Sequence, residues 1–172
     1  MARKVTEQRL MNVAVFHLGR YAASVAGLRR VLTRRARRWE RDGAEVDGDV
    51  ERLVELVVVR LRAVGLLDDE RLAAARVASL RRGGASARAI DAKLRRAGLG
   101  SEVVKRATAT EATTDAAAVW TWARRKKLGV FRERQREERR QRDLAALVRA
   151  GFSFREAKAV VDAKAPLDDA PP

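Results

Sequence analysis

The sequence predicts an all-α protein, and three observations support this prediction. Proline is confined to Pro166, Pro171 and Pro172 of the 172 residues, so no earlier position carries the strongest helix breaker. Ala, Leu and Arg dominate the remainder, and these residues favour helices. Apolar side chains recur at helical spacing, whereas no alternating pattern typical of a β-strand occurs.

The first three helices are predicted from their apolar stripes. The first stripe runs from Leu10 to Tyr21, and Ser24 can cap a second helix that carries Leu28, Leu32 and Trp39. After a polar turn at Gly43 and Gly48, a third stripe follows the spacing of one helix face. Its members are Val50, Leu53, Val54, Val57, Val58, Leu61 and Val64. Gly65 ends this helix.

Six further helices are expected. Asp68 or Asp69 can cap the fourth, Ser86 caps the fifth, and Ser101 opens the sixth. The seventh carries Ala116 to Ala123, the charge block 132–142 leads into an eighth around Leu144 and Leu147, and the ninth carries Phe154 to Val161. Glycines or capping residues separate these helices, as expected for helix ends.

An internal repeat groups the helices into threes. Ser24, Leu28 and Leu32 recur as Ser86, Ile90 and Leu94 at an offset of 62, and Leu94 and Gly98 recur as Leu147 and Gly151 at an offset of 53. We therefore expect three-helix modules at 1–64, 65–112 and 113–165, followed by a disordered tail at 166–172. Stacked end to end, such modules form an elongated, curved, solenoid-like rod.

Composition excludes several classes of function. Lys and Arg total 38 against 23 Asp and Glu, and a net charge of +15 indicates a polyanionic partner. There is no Cys and a single His, which excludes Cys-ligated metals and a thiol nucleophile. No apolar run is long enough to cross a bilayer. We expect a cytoplasmic monomer with no cofactor, no metal, no membrane contact and no catalytic residue.

The middle of the chain resembles the RecX family. The matching residues run from Val64-Gly65-Leu66-Leu67-Asp68-Asp69 through Gly83-Gly84-Ala85-Ser86 to Ile90, Leu94 and Gly98-Leu99. Residues 20–32 resemble the opening helices of the family, and residues 144–161 weakly resemble its final module. The resemblance implies three tandem three-helix repeats, in agreement with the repeat found above.

The resemblance also implies a function. RecX proteins are non-enzymatic regulators of the RecA recombinase that lie along the groove of the RecA filament on single-stranded DNA. There they inhibit its ATPase, recombinase and coprotease activities, and so modulate DNA repair, recombination and the SOS response. The alternative is a basic helical module that binds single- or double-stranded nucleic acid independently of RecA.

Three groups of basic residues are the candidate binding sites for RecA or DNA. The densest spans 29–41, where only Glu40 opposes the arginines, and positions 30, 34, 37, 38 and 41 share one helix face. The candidates are Arg29, Arg30, Arg34, Arg37, Arg38 and Arg41 in this first group, Arg81, Arg82, Arg88, Arg95 and Arg96 in a second group at 81–96, and Arg124 and Arg125 in a third group at 124–127.

Other conspicuous side chains are interpreted as structural. Asp68 and Asp69 are expected to serve a helix N-terminus rather than a metal, and His17 to lie at the edge of the first stripe. Trp120 is expected in the core. Trp39 can lie in the core or stack on a base, because it ends an arginine-rich helix.

Overall fold

The computed structural model describes residues 4–166, and its regular elements are helices. They are α1 (Glu7–Leu18), α2 (Val25–Arg41), α3 (Val50–Ala63), α4 (Asp69–Arg82), α5 (Ala87–Arg96), α6 (Ser101–Ala109), α7 (Asp115–Lys126), α8 (Arg136–Arg149) and α9 (Phe154–Val161). A 3-10 turn at Gly129–Phe131 precedes α8, and one isolated bridge joins Val5 to Val46. The all-α prediction is confirmed. The tail predicted at 166–172 lies, beyond Pro166, outside the described residues.

Side-chain caps begin the helices where the sequence predicts them. Ser24 accepts the Gly27 N–H at 2.9 Å, and Ser86 accepts the Ala89 N–H at 3.2 Å. Of the two candidates for α4, Asp68 is the cap, because its carboxylate accepts the Arg71 N–H at 3.0 Å. The neighbouring Asp69 instead accepts the N–H of Val25, the first residue of α2, at 2.9 Å. Both carboxylates therefore satisfy helix N-terminal donors.

The chain divides into two compact units. Among the described residues, unit 1 contains 4–73 together with 95–103, and unit 2 contains 74–94 together with 104–166. The boundaries differ from the predicted module boundaries at 64 and 112. The three-module division stays a prediction.

Unit 1 is built on α1, α2 and α3. The fully buried side chains at its centre include Leu10, Leu28, Leu32, Val57 and Val58. Two residues placed on buried stripes by the sequence are exposed instead: Tyr21 retains 61% and Val64 retains 69% of its accessible surface. Both stripe assignments are wrong: α1 ends at Leu18 and α3 at Ala63, so both residues lie beyond the last residue of their helix.

Unit 2 has its own core, formed by residues of α7, α8 and α9. Val119, Leu147 and Val160 are fully buried, and Trp120 is buried as predicted. The loop between α7 and α8 closes over this core through Gly129, whose φ is +57°. A Cβ at Gly129 would lie 2.7 Å from Cα of Val161, so only glycine fits.

A buried carboxylate holds that loop. The Asp143 side chain is 2% exposed, and it accepts the Gly129 N–H at 2.8 Å and two hydrogen bonds from Arg132 at 2.9 and 2.7 Å. Burial alone raises the pKa of Asp143, but the hydrogen bonds from Arg132 and Gly129 outweigh it and hold the pKa below its ordinary value. Asp143 is therefore a charged structural residue of unit 2.

Within residues 4–166, none of the helices combines the length and the apolar character that crossing a bilayer requires.

The Asp143 network makes stability depend on pH. A depressed carboxylate pKa contributes stability above the unfolded-state pKa of about 4, and this contribution is lost as pH falls through the folded-state value. We expect Asp143→Asn to lose about 2 kcal/mol or more of unfolding free energy at pH 7, measured in urea, with a gap to the unsubstituted protein that narrows below about pH 4. The control is Asp162→Asn, which breaks the exposed pair with Arg140 and should cost less than about 1 kcal/mol. Equal losses at both sites would contradict the assigned role.

A second prediction concerns the turn between α4 and α5. Gly84 has a φ of +73°, and a Cβ there would lie 2.5 Å from the Trp122 nitrogen and 2.9 Å from the Ala118 oxygen. Because both neighbours are backbone atoms, Gly84→Ala should lower the unfolding free energy by about 2 kcal/mol or more. Gly100→Ala is the control, since its Cβ would meet nothing within 4 Å. Thermal melts of the two variants that coincide would overturn the packing argument.

Candidate nucleic-acid and partner interface

Helix α2 turns a row of arginines away from the core of unit 1. Leu28, Leu32 and Ala36 are fully buried on one face of the helix. Residues on the opposite face therefore point to solvent at helical spacing. This face carries the residues that we call the α2 stripe: Arg30, Arg34, Arg38 and Arg41, all of which are exposed.

Arg29 and Arg37 lie beside the α2 stripe and form ion pairs with carboxylates of α2 and α3. Arg29 binds both carboxylate oxygens of Glu55, at 2.8 and 2.7 Å, and this pairing lowers the pKa of Glu55. Arg37 donates to Glu40 at 2.9 Å and to Glu51 at 2.8 Å, which raises the pKa of the guanidinium. Carboxylates of unit 1 therefore balance the positive charges of Arg29 and Arg37.

The four arginines of the α2 stripe make fewer contacts with carboxylates. Arg38 lies 3.8 Å from Asp42, at the edge of ion-pair distance. Within residues 4–166, Arg30, Arg34 and Arg41 make no ion pair with a carboxylate. These three guanidiniums remain available to an anion, and their arrangement along one face of a single helix suits a repeating anionic surface.

The second group of predicted arginines has a mixed environment. The Arg81 side chain is only 10% exposed, and its Nη1 donates to the Ala85 oxygen at 2.9 Å and to Asp115. Arg82 and Arg88 in unit 2 are exposed, as are Arg95 and Arg96 in unit 1. Arg81 thus joins the end of α4 to the start of α7, and the other four point to solvent.

The third group also contributes to packing in unit 2. Arg125 donates to the Gly83 oxygen at 2.8 Å, and the Arg124 guanidinium lies 5.4 Å from the centre of the Phe131 ring. Lys126 lies 5.6 Å from the centre of the Trp122 ring. The side chains of the third group are therefore more engaged in contacts within the protein than those of the α2 stripe.

The aromatic candidates are largely covered. Trp120 is in the core of unit 2. Trp39 packs against the core of unit 1, and the Arg9 guanidinium lies 3.6 Å from its ring centre, with Arg35 at 5.6 Å. The open choice for Trp39 is thereby resolved towards packing.

Potential metal ligands are scattered rather than grouped in the described part of the chain. His17 lies against the ring of Tyr21, with 5.3 Å between the ring centres. Between residues 4 and 166, no three His, Cys, Asp or Glu side chains are grouped so that they could hold a metal ion. The candidate binding residues of this chain are cationic side chains, most of them exposed on helices.

Similarity to known proteins shows the family to which the chain belongs. Over 164 residues it is 46% identical to the regulatory protein RecX of Myxococcus xanthus (strain DK1622), and the match covers 93% of this chain and 88% of that protein. The chain belongs to the RecX family. A crystal structure of regulatory protein RecX shares its fold, with a TM-score of 0.64, 19% identity, and coverage of 91% of this chain and 72% of the other. The sequence matches no protein-family model.

Salt dependence tests whether the α2 stripe of this RecX protein binds phosphates. Each single-strand phosphate contact adds about 0.7 to the slope of log affinity against log salt concentration. Replacing Arg30, Arg34, Arg38 and Arg41 with Gln should therefore reduce that slope by about 3 for single-stranded DNA. The double variant Arg29→Gln, Arg37→Gln is the control, because both residues already pair with carboxylates. An equal reduction of the slope per substituted residue in the control would contradict the assignment of the phosphate contacts to the α2 stripe rather than to Arg29 and Arg37.

Proposed function

We propose that the protein is a non-enzymatic regulator of RecA that binds the RecA filament on single-stranded DNA. Bound there, it inhibits ATP hydrolysis, strand exchange and coprotease activity, and so modulates DNA repair and the SOS response. Membership of the RecX family is the observation that carries this proposal. The protein acts as a monomer in the cytoplasm.

The α2 stripe supplies a physical basis for binding. A nucleoprotein filament presents phosphates and acidic side chains at regular intervals, and Arg30, Arg34 and Arg41 present exposed guanidiniums, without a carboxylate partner among the described residues, along one face of α2. Arg82, Arg88, Arg95 and Arg96 add exposed charge on α4 and α5. Several modest contacts made by one folded chain add to an affinity that no single contact provides.

A second candidate function is nucleic-acid binding that is independent of RecA. The residues from Gln8 to Trp39 include eight arginines and no Asp or Glu, and the arginines among them that lack carboxylate partners in the described part of the chain attract any polyanion. The two functions make different predictions about stoichiometry. A filament regulator acts at a low ratio to RecA, whereas a competitor for DNA has to coat the strand.

The deciding experiment measures ATP hydrolysis by RecA on single-stranded DNA while this protein is titrated below the amount that saturates the DNA. We expect inhibition in that range, because the filament itself is the target. Tight binding to bare DNA without inhibition of the ATPase would refute regulation of RecA and leave the second candidate.

Charge-reversal variants localise the activity. Arg30→Glu, Arg34→Glu, Arg41→Glu should reduce inhibition at least tenfold, because three attractive contacts become repulsive. The control is Arg52→Glu, Arg62→Glu, Arg155→Glu, which changes the net charge equally at exposed arginines elsewhere. Far-UV circular dichroism should show that both variants remain folded at the assay temperature. Equal loss of inhibition in the control would show that net charge, and not the α2 stripe, determines the effect.

A further inference from the structure

Two of the exposed aromatic rings of the chain lie at one end of α1. Phe16 retains 63% and Tyr21 retains 61% of its accessible surface. In the part of the chain that the structure describes, Phe154 in unit 2 is the other aromatic residue with an exposed ring. Exposed aromatic rings are costly in water, and they are typical of surfaces that bind a partner.

The end of α1 arranges these rings with cationic and polar groups. The Arg20 guanidinium lies 4.4 Å from the centre of the Phe16 ring, which is cation–π distance, and the His17 ring lies beside Tyr21. The backbone continues to turn after α1, because the N–H groups of Arg20 and Tyr21 both donate to the His17 oxygen, at 3.1 and 2.9 Å. That turn holds Phe16, Arg20 and Tyr21 within one short segment. We name these three residues the α1 platform.

Charge indicates which partner suits this surface. The α1 platform lies in the stretch from Gln8 to Trp39, whose sequence has eight arginines and no Asp or Glu; two of these arginines, Arg29 and Arg37, pair with carboxylates of α3. The α2 stripe, which begins at Arg30, belongs to the same unit. An acidic protein surface would be attracted as well, but flat rings and a guanidinium plane are the groups on which unstacked bases stack.

We propose that the α1 platform binds single-stranded nucleic acid by stacking bases on Phe16 and Tyr21, with Arg20 beside them. The α2 stripe contacts phosphates and supplies affinity that is independent of the bases. The α1 platform adds a contribution that requires bases free of pairing. This site is separate from the regulation of RecA, and free DNA is sufficient to test it.

The test compares two ligands on the full chain by fluorescence anisotropy at one salt concentration: a labelled oligo(dT) and an abasic strand of the same length. The unsubstituted protein should bind oligo(dT) about fivefold or more tightly than the abasic strand, since stacking contributes about 1 kcal/mol or more per base. Phe16→Leu, Tyr21→Leu should remove this preference and leave affinity for the abasic strand unchanged. Leucine keeps the apolar surface and removes the ring, and both positions are exposed, so folding should be preserved.

Two controls make the outcome decisive. Phe154→Leu removes a ring of similar exposure in unit 2 and should keep the preference for oligo(dT). Phe16→Trp, Tyr21→Trp should also keep it, because both positions remain aromatic. Equal affinity of the unsubstituted protein for the two strands would overturn the proposal. So would a double leucine variant that keeps its base preference but no longer inhibits the RecA ATPase, because the rings would then contact protein.

Discussion

A buried serine hydroxyl that joins two helices is the interaction on which each unit depends. In unit 1, Ser24 caps α2 and donates through Oγ to the Ala97 oxygen at 2.5 Å. In unit 2, Ser86 caps α5 and donates to the Ala150 oxygen at 2.7 Å. Each hydroxyl is buried, so an unmade bond would leave a polar group desolvated at a cost of about 1–3 kcal/mol. Helix start and helix packing are therefore coupled through one atom.

A carboxylate and a glycine accompany the serine contact in both units. Asp69 accepts the Val25 N–H after Ser24, and Asp115 accepts the Ala87 N–H after Ser86, at 2.8 Å. The acceptor carbonyls precede Gly98 and Gly151, whose φ values are +85° and +100°. These serines and glycines recur at the offsets of 62 and 53 on which the repeat prediction rests. In unit 1 the Ser24 contact fixes the start of α2. The burial of Leu28 and Leu32 fixes the orientation of the helix about its axis, so the α2 stripe faces outward.

Periodicity and caps were predictable from the sequence because both depend on residues close together in the chain. The cores of the helices and the caps at Ser24 and Ser86 follow from such local rules. Tyr21 and Val64 were misassigned because a stripe continues in a sequence after its helix has ended. The pairing of Arg29 with Glu55 and of Arg81 with Asp115 joins residues 26 and 34 positions apart, and no local pattern distinguishes these arginines from the free Arg34. The exposure of Phe16 likewise depends on which neighbours cover α1.

The α2 stripe opposes folding in the absence of a partner. Arg30, Arg34 and Arg38 are spaced four residues apart, and each like-charge pair at that spacing destabilises a helix by about 0.2–0.5 kcal/mol. Salt screens this repulsion and favours the folded state, yet the same screening weakens attraction to a polyanion. A bound polyanion removes the repulsion at the stripe without added salt. A polyanion bound at these guanidiniums would therefore stabilise α2, and the burial of Leu28, Leu32 and Ala36 on the opposite face of the helix offsets the repulsion while the stripe is unoccupied.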